Sequence, residues 1–187
     1  MIDLWLIRHG QTDWNLAGRW QGQAVDAPGL NAAGRTQALA LHAQLPHLRF
    51  AAIYSSDLLR ARQTAEVIAD SLNLTVTFEP RLREINLGLW EGMLSEDIAA
   101  QYPHELSERS NNPLHSHAPQ GESVVDVAER VRAFVIDVVA THSDGPVLIV
   151  AHGITLAIII CLAQGFPLTQ VYEHIPQNAQ PYLVEWE

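Results

Sequence analysis

The sequence predicts an α/β protein, a three-layer α/β/α sandwich with a mostly parallel central sheet and a short inserted lid. Three observations carry this. Short, nearly continuous apolar runs, Ile2 to Ile7 and Val147 to Val150, have the composition of strands covered on both faces. Segments of helical period alternate with such runs, which calls for right-handed crossovers and helices on both sides of a sheet. A polar stretch over residues 93–120, with Pro103, Pro113 and Pro119, interrupts the alternation and reads as a cap or lid. With 187 residues and no internal repeat, low-complexity segment or linker, the chain is expected to form one domain over 1–187.

The elements follow in order. Ile2 to Ile7 is the first strand. Asn31 is a possible cap for a helix whose stripe is Ala38, Leu41 and Leu45. Ala51 to Tyr54 is a weaker strand candidate. Asp57 then precedes a second helix, with Ala61, Ala65, Ile68 and Leu72 on its apolar face. Thr75 to Phe78 is β-branched enough for a strand. Ser123 with Asp126 forms a capping-box-like start to a third helix, striped by Val124, Ala128, Val131, Val135 and Val138. Pro146 to Ala151 contains the second clear strand, and Tyr182 to Trp186 a final one nearer an edge.

Composition narrows the function. Charged residues are 17% and hydrophobic ones 48%, so a disordered tail is disfavoured. Twenty-one acidic against 11 basic side chains give a formal net charge of −10, which argues against a nucleic-acid partner. The longest apolar run, Ile154 to Ala163, is shorter than the roughly 20 residues that span a bilayer, so no membrane partner is expected. Asp3 and Arg8 lie where a signal peptide is uniformly apolar. Cys161 is the single cysteine, which excludes an intrachain disulfide and four-cysteine zinc sites; a cytoplasmic location is the expectation. Nine histidines could ligate metal, carry protons or accept phosphate. No heptad or exposed apolar stripe marks an oligomer interface.

In open α/β sheets ligands bind beyond the carboxyl ends of the strands. The first strand runs into Arg8-His9-Gly10, the strand near residue 150 into Ala151-His152-Gly153, and the Ala51 to Tyr54 run through Ser55-Ser56 into a helix carrying Arg60. If these strands are neighbours, two arginines and two histidines converge, which suits a phosphoryl dianion. One histidine at a strand end is more often a satisfied polar group than a catalyst. Two such endings and an arginine after a third strand are harder to ascribe to packing, because these groups repel one another without an anion.

The stretch Leu6-Ile7-Arg8-His9-Gly10-Gln11-Thr12-Asp13-Trp14-Asn15 resembles the signature of the histidine phosphatase superfamily, also called the phosphoglycerate mutase-like family. Gln21-Gly22, Tyr54 to Ala65, Leu82-Arg83-Glu84-Ile85, Gly88 to Gly92, Gly121-Glu122-Ser123 and Ala151-His152-Gly153 extend the likeness, in order, over nearly the whole chain. The resemblance implies that His9 is the nucleophile and forms a phosphohistidine, with Arg8, Arg60 and His152 holding the phosphoryl oxygens. It implies Asn15 as a further donor, and Gln21, Gly22 and Gly153 at the phosphate site. Glu84 would be the general acid and then the base that activates water. No cofactor and no metal are implied. Two departures stand out: the loop Gln23 to Asn31 is longer than the usual pattern, with an extra glycine after Pro28, and the helix after Gly153 continues apolar through Ile158 to Ile160.

Other residues leave alternatives open. Arg62 is as well read as a surface ion pair as a substrate contact, and Glu91 more as a structural partner than a second acid. His104, His115 and His117 could touch substrate, and less readily a metal. Trp5, Trp14, Trp20 and Trp186 are read as core or wall, and His42, His47, His142 and His174 as surface or packing residues. Three functions compete: a phosphomonoester hydrolase acting on a small phosphorylated metabolite, a phosphoglycerate mutase, and a non-catalytic phospholigand-binding protein. Retention of both His9 and Glu84 disfavours the last. Mutases of the family are usually longer and close the site with an insertion and a C-terminal tail, so hydrolysis is the expectation here.

Overall fold

The computed structural model describes residues 1–45, 48–142 and 145–187; the expectation for His47 falls outside them. Five strands form one sheet: β1 (Ile2–Arg8), β2 (Ala52–Ser55), β3 (Val76–Phe78), β4 (Val147–Ala151) and β5 (Pro181–Trp186). Their order is β3-β2-β4-β1-β5. The first four are mutually parallel, with Leu6 opposite Ile149 and Tyr54 also opposite Ile149. β5 runs antiparallel to β1 along the edge, Ile2 opposite Trp186. Every residue of β4 is buried, as its apolar run requires of a strand with neighbours on both sides and helices on both faces.

Helices α1 (Asp13–Ala17), α2 (Ala32–Gln44), α3 (Leu59–Leu72), α4 (Ser95–Gln101), α5 (Pro103–Asn111), α6 (Val124–Thr141) and α7 (Gly153–Gln164) complete the regular structure, with short 3-10 turns at Pro80–Leu82, Gly88–Trp90 and Leu168–His174. Side-chain alternation divides the core into two layers. Leu4, Leu6, Val147 and Ile149 pack with the apolar faces of α6 and α7. Ile7, Ile53, Leu148 and Val150 pack with Leu41 of α2 and Ala61, Ala65 and Ile68 of α3. A period-2 strand between two helical layers has to sort its side chains this way.

Asn31 caps α2, its side chain accepting from the Gly34 amide at 2.9 Å. Ser123 and Asp126 form the complete capping box of α6. Asp57 precedes α3 without capping it: the N-cap is Leu58, without a side-chain bond, and the Asp57 carboxylate is taken by Arg83, whose Nε lies at 2.7 Å. Residues 93–120 are not irregular throughout. They contain α4 and α5, with Pro103 in the first turn of α5 where a missing amide costs nothing, and they bury Ile98 and Ala118 in the core. His42 is exposed, His142 meets the Tyr54 hydroxyl through Nε2 at 2.9 Å, and His174 stacks on Phe166. α2 packs directly on the turn after β1, because a Cβ at Gly10 would stand 2.6 Å from the Gly34 carbonyl oxygen.

Candidate active site

β1, β4 and β2 are adjacent and parallel, so their carboxyl ends open on one side of the sheet. His9 continues the ladder past β1, its amide donating to the Ala151 carbonyl at 3.0 Å, and the Ser56 amide does the same to Val150 at 3.0 Å. The His9 and His152 rings are thereby brought to 5.2 Å, centroid to centroid. Both are buried, and α7 starts immediately after His152, which is its N-cap. Segment 176–179 latches the same place from the other side. Asn178 Nδ2 donates to the His9 carbonyl at 2.7 Å, the Ala179 amide to the Arg8 carbonyl at 2.8 Å, and Arg8 Nη1 to the Pro176 carbonyl at 3.1 Å.

The proton positions on His9 follow from its neighbours. Nδ1 lies 2.8 Å from the Gly10 carbonyl, which only accepts, so Nδ1 carries the hydrogen. Nε2 then keeps its lone pair, and the Arg60 Nε donates to it at 3.2 Å. Burial first, then the charges of Arg60 and Arg8, hold the His9 pKa well below the ordinary imidazole value. His152 is depressed in the same way, by burial first and then by Arg60, His9 and Arg8. Arg60 is itself pulled down to about 10, chiefly by burial, with Glu84 opposing the shift. It remains a cation at neutral pH. His152 Nε2 meets Ser56 Oγ at 2.8 Å, while His152 Nδ1 and Arg8 Nε, both buried, have no hydrogen-bond partner among the described residues. Cations and unused donors around a nucleophilic nitrogen are suited to an oxyanion.

Glu84 reaches this place from the segment after the Pro80–Leu82 turn. Its carboxylate sits on the N-terminus of α7, accepting from the Ile154 amide at 3.2 Å and the Thr155 amide at 3.3 Å. A Cβ at Gly153 would crowd Ile175 Cγ2 at 3.1 Å and would make ordinary contacts at 3.5 Å with Glu84 Oε2 and 3.6 Å with Arg8 Cζ. Arg130 on α6 holds the segment from behind, donating to the carbonyls of Arg81, Arg83 and Glu84 at 2.7, 2.8 and 3.1 Å and to both Glu122 carboxylate oxygens. Arg130 was not read from the sequence, although Glu122 in Gly121-Glu122-Ser123 was the available signal.

A cleft of about 350 Å³ gathers Arg8, His9, Asn15, Gln21, Gly22, Arg60 and Glu84, with Arg19, Trp20, Arg109 and Tyr172 also on its walls. Among the relatives that this geometry can be set beside, the histidine phosphatase superfamily (branch 1) matches residues 4–187. The chain belongs to that superfamily. Within the histidine phosphatase superfamily it is 34% identical over 187 residues to phosphoserine phosphatase 1 of Hydrogenobacter thermophilus, covering all of this chain and 88% of that protein. It is also 34% identical over 167 residues to a probable phosphoglycerate mutase of Escherichia fergusonii, covering 89% of this chain and 77% of the relative. The crystal structure of the α-ribazole phosphatase from Shigella flexneri superposes with a TM-score of 0.89 at 29% identity, over 98% of this chain and 90% of that one.

In this histidine phosphatase superfamily member most of the sequence candidates come together, and some do not. Asn15 Oδ1 is turned back to the Thr12 amide at 3.1 Å, which leaves its amide nitrogen for the cleft, and Gln21 Oε1 accepts from Thr12 Oγ1 at 3.0 Å. Gly22 has φ +47°, and its carbonyl accepts from Arg60 Nη2 at 2.8 Å. Arg62 is not brought to the cleft: it pairs with Glu66 at 3.7 Å and lies over the Phe78 ring. Glu91 is structural, Oε1 accepting from the Gln23 amide at 2.7 Å and the Leu87 amide at 3.1 Å. His104, His115 and His117 are not among the cleft residues, and among the described residues no group of three potential ligands forms a metal-holding cluster.

Proposed function

We propose that the chain is a phosphomonoester hydrolase of small phosphorylated metabolites, acting through a phosphohistidine on His9. The observation that carries this reading is the His9 tautomer: Nδ1–H is spent on the Gly10 carbonyl, and the Nε2 lone pair faces Arg60. That nitrogen attacks phosphorus and the phosphorus–oxygen ester bond breaks. Arg8, Arg60, His152 and Asn15 hold the three equatorial oxygens as charge spreads over them. Glu84 gives its proton to the departing oxygen, and the alcohol leaves. A water then attacks the phosphohistidine, Glu84 takes its proton, and the Nε2 bond breaks to release inorganic phosphate. The Gly10 carbonyl keeps accepting from Nδ1–H throughout and so stabilises the charged phosphoimidazole. No step needs a metal or cofactor.

The supporting reading of the rest is a single catalytic domain over 1–187, with 93–120 as a lid that brings Arg109 to the cleft mouth. Among the described residues no helix is long and apolar enough to cross a membrane, and Cys161 is buried, which fits a cytoplasmic enzyme. The likeness to a probable phosphoglycerate mutase makes transfer to a second alcohol the competing fate of the same intermediate.

The deciding experiment is acid-sensitive labelling by a phosphomonoester panel that includes 3-phosphoglycerate, with and without a bisphosphoglycerate primer. We expect p-nitrophenyl phosphate turnover, a label that is stable in alkali, and loss of both in His9→Ala. Primer-dependent isomerisation faster than phosphate release would replace the hydrolase reading by the mutase one.

A further inference from the structure

All eleven basic side chains of the protein are arginines. Eight of them either hold a carboxylate or line the cleft, and among the described residues Arg35, Arg49 and Arg132 do neither. Arg62, Arg81, Arg83 and Arg130 each hold a carboxylate, of Glu66, Glu79 with Asp137, Asp57 and Glu122 respectively. Arg8, Arg19, Arg60 and Arg109 line the cleft, and among the described residues none of these four is ion-paired. In a chain of net charge −10, four such cations in one cleft are not a default arrangement.

Arg8 and Arg60 act on His9, and the two remaining cations of the cleft are Arg19 and Arg109. Arg109 is fixed there without using its donors: its guanidinium carbon lies 5.2 Å from the Trp20 ring centroid, 5.9 Å from Trp90 and 5.3 Å from Tyr172. These three ring contacts engage the charge of the guanidinium and leave its N–H groups, which make no side-chain hydrogen bond among the described residues, available to a ligand. Arg19 commits one N–H to the Gly92 carbonyl at 2.6 Å. Ile85, Leu87, Ile154 and Ile175 line the cleft as well.

We infer that Arg109, assisted by Arg19, is a second anion site that receives a carboxylate on the alcohol portion of the substrate, so that the preferred substrates are phosphomonoesters of hydroxy acids. The inference rests on the hydrolase reading above. A carboxylate is favoured over a second phosphate because Arg109 is the one guanidinium here with no side-chain hydrogen bond among the described residues, Arg19 having one N–H committed to Gly92. The phosphoryl end, by contrast, surrounds its anion with Arg8, Arg60, His152 and Asn15.

The test compares 3-phosphoglycerate with glycerol 3-phosphate, which differ in a carboxylate against a hydroxymethyl group, and 1,3-propanediol bisphosphate as the second-phosphate arm. We expect kcat/KM to favour 3-phosphoglycerate by about 10- to 100-fold in the unmodified protein. Arg109→Gln should bring that ratio to within a few-fold of one, Arg19→Gln should reduce it less, and Arg109→Lys should restore part of it. The same ratio read as Kd by calorimetry in the His9→Ala protein tests the site without turnover. A ratio near one in the unmodified protein, or one that neither Gln variant changes, overturns the inference. Preference for the bisphosphate overturns the carboxylate assignment. Failure to turn over p-nitrophenyl phosphate, by contrast, strikes the hydrolase reading and leaves the Kd ratio to decide this one.

Discussion

Arg60 donates from Nε to His9 Nε2 at 3.2 Å, so without substrate the cation rests on the lone pair that attacks phosphorus in the proposed mechanism. It has to exchange that nitrogen for a phosphoryl oxygen, and only a planar fork with donors to spare can do this while keeping Nη2 on the Gly22 carbonyl at 2.8 Å. Arg60→Gln should lower kcat/KM by about 10²- to 10³-fold, and Arg60→Lys by nearly as much, since the ammonium keeps the charge and loses the fork. Steady-state kinetics on p-nitrophenyl phosphate measures this. A tenfold loss or less in the lysine variant contradicts the bidentate role.

The two buried histidines set a stability profile. Burial first and the neighbouring arginines second hold both below 6.5 in the native state, whereas in the unfolded chain each takes up a proton near its ordinary value of about 6.5. Below that pH the unfolded state binds more protons, so native stability falls as pH drops from about 6.5 and is fully present above it. The slope is about 1.4 kcal/mol per pH unit for each histidine. Asp57, Glu79 and Asp126, also lowered, add losses only in the more acid carboxylate range. Urea midpoints at pH 7.5, 6.5 and 5.5 should show a shallow first interval and a steep second. His152→Asn should flatten the second, and an equal slope in both proteins would show that His152 is not held neutral.

Glu84→Gln keeps the shape and, with its one carbonyl oxygen in the Oε1 place, the bond from Thr155, but it loses an acceptor for the Ile154 amide and has no acidic proton to give. The loss should be about 10²-fold or more for alkyl phosphates and much smaller for p-nitrophenyl phosphate, whose anion leaves unaided. Equal losses across leaving groups are incompatible with a general acid.

Arg130→Met removes the support behind Glu84 without touching the cleft wall. Three carbonyls and the Glu122 carboxylate lose their donor, which should cost about 2 to 4 kcal/mol in urea unfolding and reduce kcat more than it raises KM. Full stability with reduced kcat would deny the structural half of this account.

Arg62→Gln is the contrasting case. Its pair with Glu66 spans one turn of α3 at the surface, so stability should change by no more than about 0.5 kcal/mol and kcat/KM should be unaltered. A tenfold fall in kcat/KM would return Arg62 to the site.

What the sequence made legible follows from periodicity. β1 and β4 were readable because both faces are covered, and their carboxyl ends then placed Arg8, His9 and His152 without further information. Arg60 and Arg62 could not be told apart by composition. Two residues rotate a helix by about 200°, so one side chain turns inward and the other to solvent. Glu84 was reachable only through its motif, because the stretch after the Pro80–Leu82 turn has no regular period. Arg130 was missed since it lies beside the apolar stripe of α6 and resembles any solvated arginine; what distinguishes it, three main-chain carbonyls arriving from another segment, has no local signature. Arg109 sat in a polar helix whose short length hides which face is turned to the cleft.

The latch made by Pro176, Asn178 and Ala179 joins two segments that lie far apart in the sequence. The Arg8 and His9 carbonyls and the Arg8 guanidinium take their bonds from about 170 positions later in the sequence. Closing so long a loop is a late event in folding, because its entropy has to be met before those contacts exist. Without that segment the β1, β2 and β4 contacts can form and His9 keeps its amide bond to Ala151, but the Arg8 guanidinium and the carbonyls of Arg8 and His9 lose these partners. The Arg8 end of the cleft is therefore complete only once the segment leading into β5 has docked.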